Sequence, residues 1–154
     1  MAKCEIFVQR LAEHGIVVAQ NNVGGFGSYI SFTIETNKEQ YGAKAILAAT
    51  NTGVIHSEWL QADGSVSEAD VSPVLMVEFG SGLLANNPRA DELGYGTGTF
   101  PGQTHAEDPS GWWYMDTDGE WHHSFGIAPE MPMYKAASWM ISIIDTVAKE
   151  VFGN

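Results

Sequence analysis

Ser28-Tyr29-Ile30-Ser31-Phe32-Thr33-Ile34-Glu35-Thr36 is the clearest strand in the chain, and the fold class is read outward from it. Ile30, Phe32 and Ile34 point one way and Ser31, Thr33 and Glu35 the other, the period of two that marks a half-buried strand. Upstream, Val23-Gly24-Gly25-Phe26-Gly27 breaks a different period. From Lys3 to Asn21, residues Phe7, Leu11, Gly15, Val18 and Ala19 fall on one helical face. Gly15 costs that helix about 1 kcal/mol against Ala, and on the apolar face it admits close approach to a sheet. Downstream, residues 37–42 read as a turn and Ala43–Thr50 as the next strand, in a meander or hairpin. Asn51-Thr52-Gly53 turns again, and Val54–Gln61 with Val66–Glu68 form a smaller hairpin around Ala62-Asp63-Gly64. Pro73 leads into Val74-Leu75-Met76-Val77-Glu78-Phe79. A short continuous apolar run between Pro and Gly predicts a strand buried on both faces.

Residues 80–110 differ in character, being rich in Gly, Pro, Asn and Asp with little periodicity. A loop this long is uncommon in a compact domain unless it is functional or ordered by a partner. Beyond it, Trp112-Trp113-Tyr114-Met115 and Glu120-Trp121-His122-His123 flank Asp116-Thr117-Asp118-Gly119, a hairpin signal. Pro129 and Pro132 precede a final helix, Met133 to Phe152, with an apolar stripe of Met133, Ala137, Met140, Ile141, Ile144, Val147, Ala148 and Val151. Pro132 suits its first turn, Lys149 its negative end and Gly153 its stop. Helix, strands, hairpin and helix together predict one α+β domain over residues 1–154, its terminal helices packed on a largely antiparallel β-sheet with a long Gly/Pro-rich loop.

Composition narrows the function. The chain has 154 residues, 44% hydrophobic and 17% charged, which suits a folded core rather than disorder. Seven Lys and Arg stand against nineteen Asp and Glu, a net charge of −12. Nucleic-acid binding draws on cations that neutralise phosphates, and so few cannot form a broad basic footprint. The opposite reading, an acidic surface that repels nucleic acid, stays open. The one cysteine, Cys4, forms no disulfide within the chain and reads as a small buried apolar residue. No run reaches the ~18–20 apolar residues of a membrane span, and the N-terminus lacks a signal-peptide layout. The expected compartment is a reducing cytoplasm, or a particle assembled there.

Chemistry is hard to place on these residues. His122, His123, His105, Asp116, Asp118 and Glu120 superficially suit a metal, but neighbours on a strand point to opposite faces, so His122 and His123 do not readily share one ion. Asp116-Thr117-Asp118-Gly119-Glu120 resembles the start of a calcium loop but lacks the third acid, and its glycine falls too early. Gly80-Ser81-Gly82 is no nucleophile elbow, since Phe79 stands two before Ser81. Tyr95-Gly96-Thr97-Gly98-Thr99 has no following Gly-Lys-Ser/Thr to bind phosphate. Asp145 and Glu150 read as a solvated helix face. No catalytic residue, metal ligand or cofactor is assigned. The sharper pattern is Trp112, Trp113, Tyr114 and Trp121. It reads as an aromatic core hairpin, as a subunit interface, or as a sugar-stacking platform of a carbohydrate-binding module.

Three blocks in order carry a family resemblance. Val77-Glu78-Phe79-Gly80-Ser81-Gly82 resembles the Val/Ile-Glu-Phe-Gly-Thr-Gly signature of the siphophage neck and tail-completion proteins, also called head–tail joining or tail-component proteins, of lambdoid and Gram-positive phages. Glu92-Leu93-Gly94-Tyr95 with the following Gly-rich tract through Phe100, and the aromatic hairpin from Gly111, are similar to the same family. So are Ser124–Tyr134 at the entry to the last helix, the ending Ala148–Phe152 and the opening Arg10–Gln20. Departures are Ser81 where Thr is usual and a longer segment from Asn51 to Asp70.

The resemblance implies a non-enzymatic virion protein of the neck, assembled in the host cytoplasm. It would form a homo-oligomeric ring, six-fold or matched to a twelve-fold portal, between a head-completion or connector protein and the tail terminator or tail-tube protein. Such a ring closes through heterologous contacts. The residues expected at subunit or partner interfaces are Glu78, Phe79, Gly80, Gly82, Arg89, Leu93, Tyr95, Phe100, Trp112, Trp113 and Trp121. Glu78 is costly if buried unpaired. It is expected to accept hydrogen bonds from the glycine-rich turn, to meet a neighbour's Arg89 or Lys135, or to face water from an edge strand.

Overall fold

The computed structural model describes residues 2–90, 92–93 and 108–153, in two compact units. Residues 1–50 with 132–154 form one, and residues 51–131 the other. The α+β class holds: helices lie near both ends of the chain, and every sheet pairing described is antiparallel.

The first unit is built on two antiparallel helices, α1 (Lys3–Gln20) and α3 (Pro132–Phe152). Phe7 meets Phe152 with ring centroids 5.5 Å apart, Arg10 pairs with Glu150 at 3.5 Å, and Lys135 Nζ donates to Asn22 Oδ1 at 2.8 Å. Small residues let the helices close: Ala12, Gly15, Ala19 and Ala136 are buried. A Cβ added at Gly15 would lie 2.7 Å from Met140 Sδ and 3.2 Å from Leu47 Cδ2. The close approach expected there is thus to α3 and to a strand at once. That strand is β2 (Gly42–Asn51), paired with β1 (Ile30–Glu39). α1 packs on β1, where Thr36 Oγ1 donates to Gln9 Oε1. The glycine break before β1 is a 3-10 turn, Gly24–Tyr29.

Two expectations shift here. The predicted stripe of α3 holds at Val147, which is buried, but not at its middle: Ile141 is 73% exposed and Ile144 is exposed too, while Ala136, outside the stripe, is buried. Several apolar phases overlap on this helix, and the small Ala136 is the one that admits α1. Cys4 is exposed, not buried. It lies almost a turn before Phe7, where the helix pair begins.

The second unit holds a four-stranded sheet of order β4-β3-β6-β7, with β3 (Ile55–Leu60), β4 (Val66–Val71), β6 (Trp112–Met115) and β7 (Trp121–Ser124). Its two hairpins use one turn chemistry. Asp63 Oδ1 accepts from the Ser65 N–H at 2.9 Å before Gly64 closes the loop with φ +84°. Asp116 Oδ1 accepts from the N–H groups of Asp118 and Glu120, both at 2.9 Å, with Gly119 at φ +81°. An aspartate that bonds its own backbone two residues on, followed by a left-handed glycine, is a hairpin loop by itself.

The predicted buried strand at 74–79 is a helix, α2 (Pro73–Phe79). Its ends explain why. Ser72 Oγ accepts from the Leu75 N–H, Pro73 occupies the first turn, and the Met76 and Gly80 N–H groups donate four residues back to Ser72 and Met76. An apolar run buried nearly all round has no period to separate strand from helix. Asn51 ties this cap down, its Oδ1 accepting from Val74 N–H at 2.9 Å. Beyond α2, β5 (Ser81–Gly82) pairs with β8 (Gly126–Ile127), so part of the expected long loop is regular structure.

Candidate functional site

Two places in residues 51–131 gather the sequence-predicted residues. The first is the Glu78–Gly82 block. Glu78 and Phe79 end α2, and both are buried. Asn87, itself buried, supplies the partner for Glu78: its Nδ2 donates to the Glu78 carbonyl at 2.8 Å and to Glu78 Oε1 at 3.2 Å. Asn87 Oδ1 in turn accepts from the Arg89 N–H at 2.8 Å, so one amide holds both ends of the turn. Arg89 pairs with Glu92 at 3.2 Å. The idea of a water-facing edge glutamate is therefore corrected: Glu78 lies on an inward helix end, bonded to Asn87.

Ser81 Oγ accepts from the Ile127 N–H at 3.1 Å and so binds the short β5–β8 ladder. Glycines bring these backbones together. A Cβ on Gly126, with φ +116°, would collide with the Ser81 carbonyl oxygen, and one on Gly82 would enter the Trp112 ring. Only a residue without a side chain admits both contacts. The chain coming back from β8 closes on α2, the Glu130 and Met131 N–H groups both donating to the Val77 carbonyl. Every contact described at this block is with another residue of the same unit.

The second place is the β6–β7 hairpin. Cross-strand pairs are Trp112 with Ser124, Trp113 with His123, Tyr114 with His122 and Met115 with Trp121. Trp112 and Tyr114 share a face and Trp113 takes the other, as alternation requires. Trp112 lies on Gly82. On the other face Trp113 stands edge-on to His123, with centroids 5.1 Å apart, and His123 edge-on to Phe125 at 4.8 Å. His123 Nε2 lies 2.8 Å from the Ser110 carbonyl; a carbonyl only accepts, so that nitrogen carries the proton.

Two groups among the described residues bring three possible metal-ligand atoms within 4.8 Å of one another: His56, Glu58 and Glu68, and Asp116, Glu120 and His122. In the first, Asp70 Oδ1 lies 3.2 Å from His56 Nδ1, and Glu58 and Glu68 lie 3.8 and 3.6 Å from Nε2. Asp70 above all, then Glu68, raises the His56 pKa. In the second, Asp116 is bonded by the Glu120 N–H and by His122 at 2.6 Å, which lowers its pKa. Both sets could hold a divalent cation, and each is also a local cluster without one: ion pairs around His56 in the first, hydrogen bonds to Asp116 in the second.

Of the interface candidates, Glu78, Phe79, Gly80 and Gly82 are buried, while Arg89, Leu93, Trp113 and Trp121 are exposed and Trp112 is partly so. Tyr95 and Phe100 lie outside the described residues, as does His105. Sequence reasoning missed Asn87 and Phe125, and weighed His123 only as a metal ligand. Asn87 stands before Pro88, a turn signal that could have marked it. His123 and Phe125 follow from the strand register once Trp113 is placed outward.

Comparison of the chain with family models, with curated proteins and with solved structures finds no match.

Proposed function

We propose that the chain is a structural virion protein of the phage head–tail interface, assembling into a ring that joins the portal-side connector to the tail and leaves a channel for DNA. One observation supports this reading: the contacts described for the block that resembles the family signature are internal to its own unit. Glu78 is held by Asn87, Ser81 by Ile127, Gly80 lies against the Ile127 carbonyl, and Gly82 lies against the Trp112 ring and the Phe125 carbonyl. A motif built this way maintains shape, which is the work of a neck protein. The charge agrees with passing DNA, since an excess of acids leaves phosphates unbound.

Mass photometry and cryo-EM of the purified protein with its head-connector and tail-terminator partners test the proposal. Rings or a ternary complex are expected. Glu78→Gln is expected to lower the melting temperature and ring yield together. A strict monomer that ignores both partners and binds glycans would overturn the reading in favour of a carbohydrate-binding module. The hairpin favours that alternative less, because Trp113, His123 and Phe125 meet at interplanar angles of 64° and 80° and make no flat platform.

A further inference from the structure

The charge of the chain is divided unevenly. Residues 51–131 contain thirteen acidic residues and one basic residue, Arg89; residues 1–50 and 132–154 contain six of each. The whole excess of −12 therefore belongs to the unit that bears the aromatic hairpin. On the outer face of that hairpin, Trp113 is 48% exposed, Trp121 39% and the adjoining Phe125 50%. Trp113, Met115, Trp121 and His123 alternate onto this one face. Asp118 and Glu120 are exposed at the turn beside Trp121, and no Lys or Arg occurs from residue 90 to 131.

An exposed ring face in a strongly anionic setting favours one chemistry. The π faces attract cations, and a guanidinium stacks on them while bonding carboxylates with its edge. A second copy that meets the face through its own acidic unit brings like charge, which costs encounter rate and affinity. A neutral sugar gains nothing from the charge. From the geometry and the charge together we infer that the outer face of the β6–β7 hairpin docks an arginine-rich segment of a partner protein. The inference does not rest on the phage reading, since it uses only the hairpin and the charge division.

Binding of labelled nona-arginine and nona-lysine peptides to the full chain, read by fluorescence anisotropy at about 0.15 M salt, tests it. The arginine peptide is expected to bind roughly tenfold more tightly than the lysine peptide, because stacking separates the two cations where charge alone does not. Trp113→Ala should weaken the arginine peptide by about tenfold and the lysine peptide by no more than about twofold. Trp139→Ala, at an exposed tryptophan of the neutral unit, should change neither. Should Trp113→Ala fail to fold, Asp118→Asn with Glu120→Gln provides the test, since the turn itself is held by Asp116. That pair should weaken the arginine peptide by about threefold and flatten its salt dependence. Equal affinity for the two peptides, or indifference to both sets of substitutions, would overturn the inference. So would Trp113-dependent self-association without peptide binding, or Trp113-dependent glycan binding.

Discussion

At the residue scale, the two titrating clusters differ in sign. His56 is held by Asp70 and faced by Glu58 and Glu68, and its pKa is raised above 6.5. A raised value means the folded state binds the proton more tightly. Its contribution to stability is complete below about pH 6.5 and is lost as pH rises through the folded value. An NMR titration of His56 should therefore show a midpoint above 6.5, and Asp70→Asn should bring it back towards that value; an unmoved midpoint would refute the pairing. Asp116 runs the other way. The Glu120 N–H and His122 bond its charged form, so its pKa is lowered from 3.8. Its contribution is present at neutral pH and is lost as pH falls through the lowered value. Asp116→Ala should cost melting temperature at pH 7, by a margin that narrows in acid.

At the element scale, the second unit depends on backbone contacts that leave no room for a side chain. Gly126→Ala is the sharpest probe: it combines positive φ with a collision on the Ser81 carbonyl. Strain of that backbone type alone is worth about 1–3 kcal/mol. Loss of soluble protein, or a large fall in melting temperature, is expected; a parent-like melt would show that β5 and β8 are not paired as described. The same elements show what sequence could and could not reveal. α1, β1, β2 and the hairpins were legible because one face of each is wet, so burial writes a period into the residues. α2 was not, because Val77, Glu78 and Phe79 are all buried and the period vanishes. Its signals were the caps, Ser72-Pro73 and Gly80, which local chemistry sets independently of burial. β5 and β8 are two residues each, too short for any period. At the site, Trp113 and Trp121 were legible as residue types, whereas Asn87 as the partner of Glu78 depends on a turn nine residues away.

At the scale of the whole molecule, the charge division predicts a stronger response to salt in one unit than in the other. Thirteen acids against one base repel within residues 51–131, and repulsion between exposed charges falls as the screening length shortens from about 30 Å at 0.01 M to about 3 Å at 1 M. Hydrogen exchange followed in sodium chloride should show rising protection in β3, β4, β6 and β7 and little change in α1 and α3. Equal responses in both sets would refute the account. The order of the units along the chain has its own outcome during synthesis. The acidic unit is one uninterrupted stretch, whereas the other is split around it, with α1 made before it and α3 after it. Residues 51–131 can thus fold as they emerge from the ribosome. α1 can pack on β1 and β2 early, but the part of its apolar face that meets α3 stays uncovered until residues 21–131 have been translated and α3 arrives. A nascent chain stalled before Pro132 should accordingly engage chaperones through α1, and release them once α3 is free of the exit tunnel.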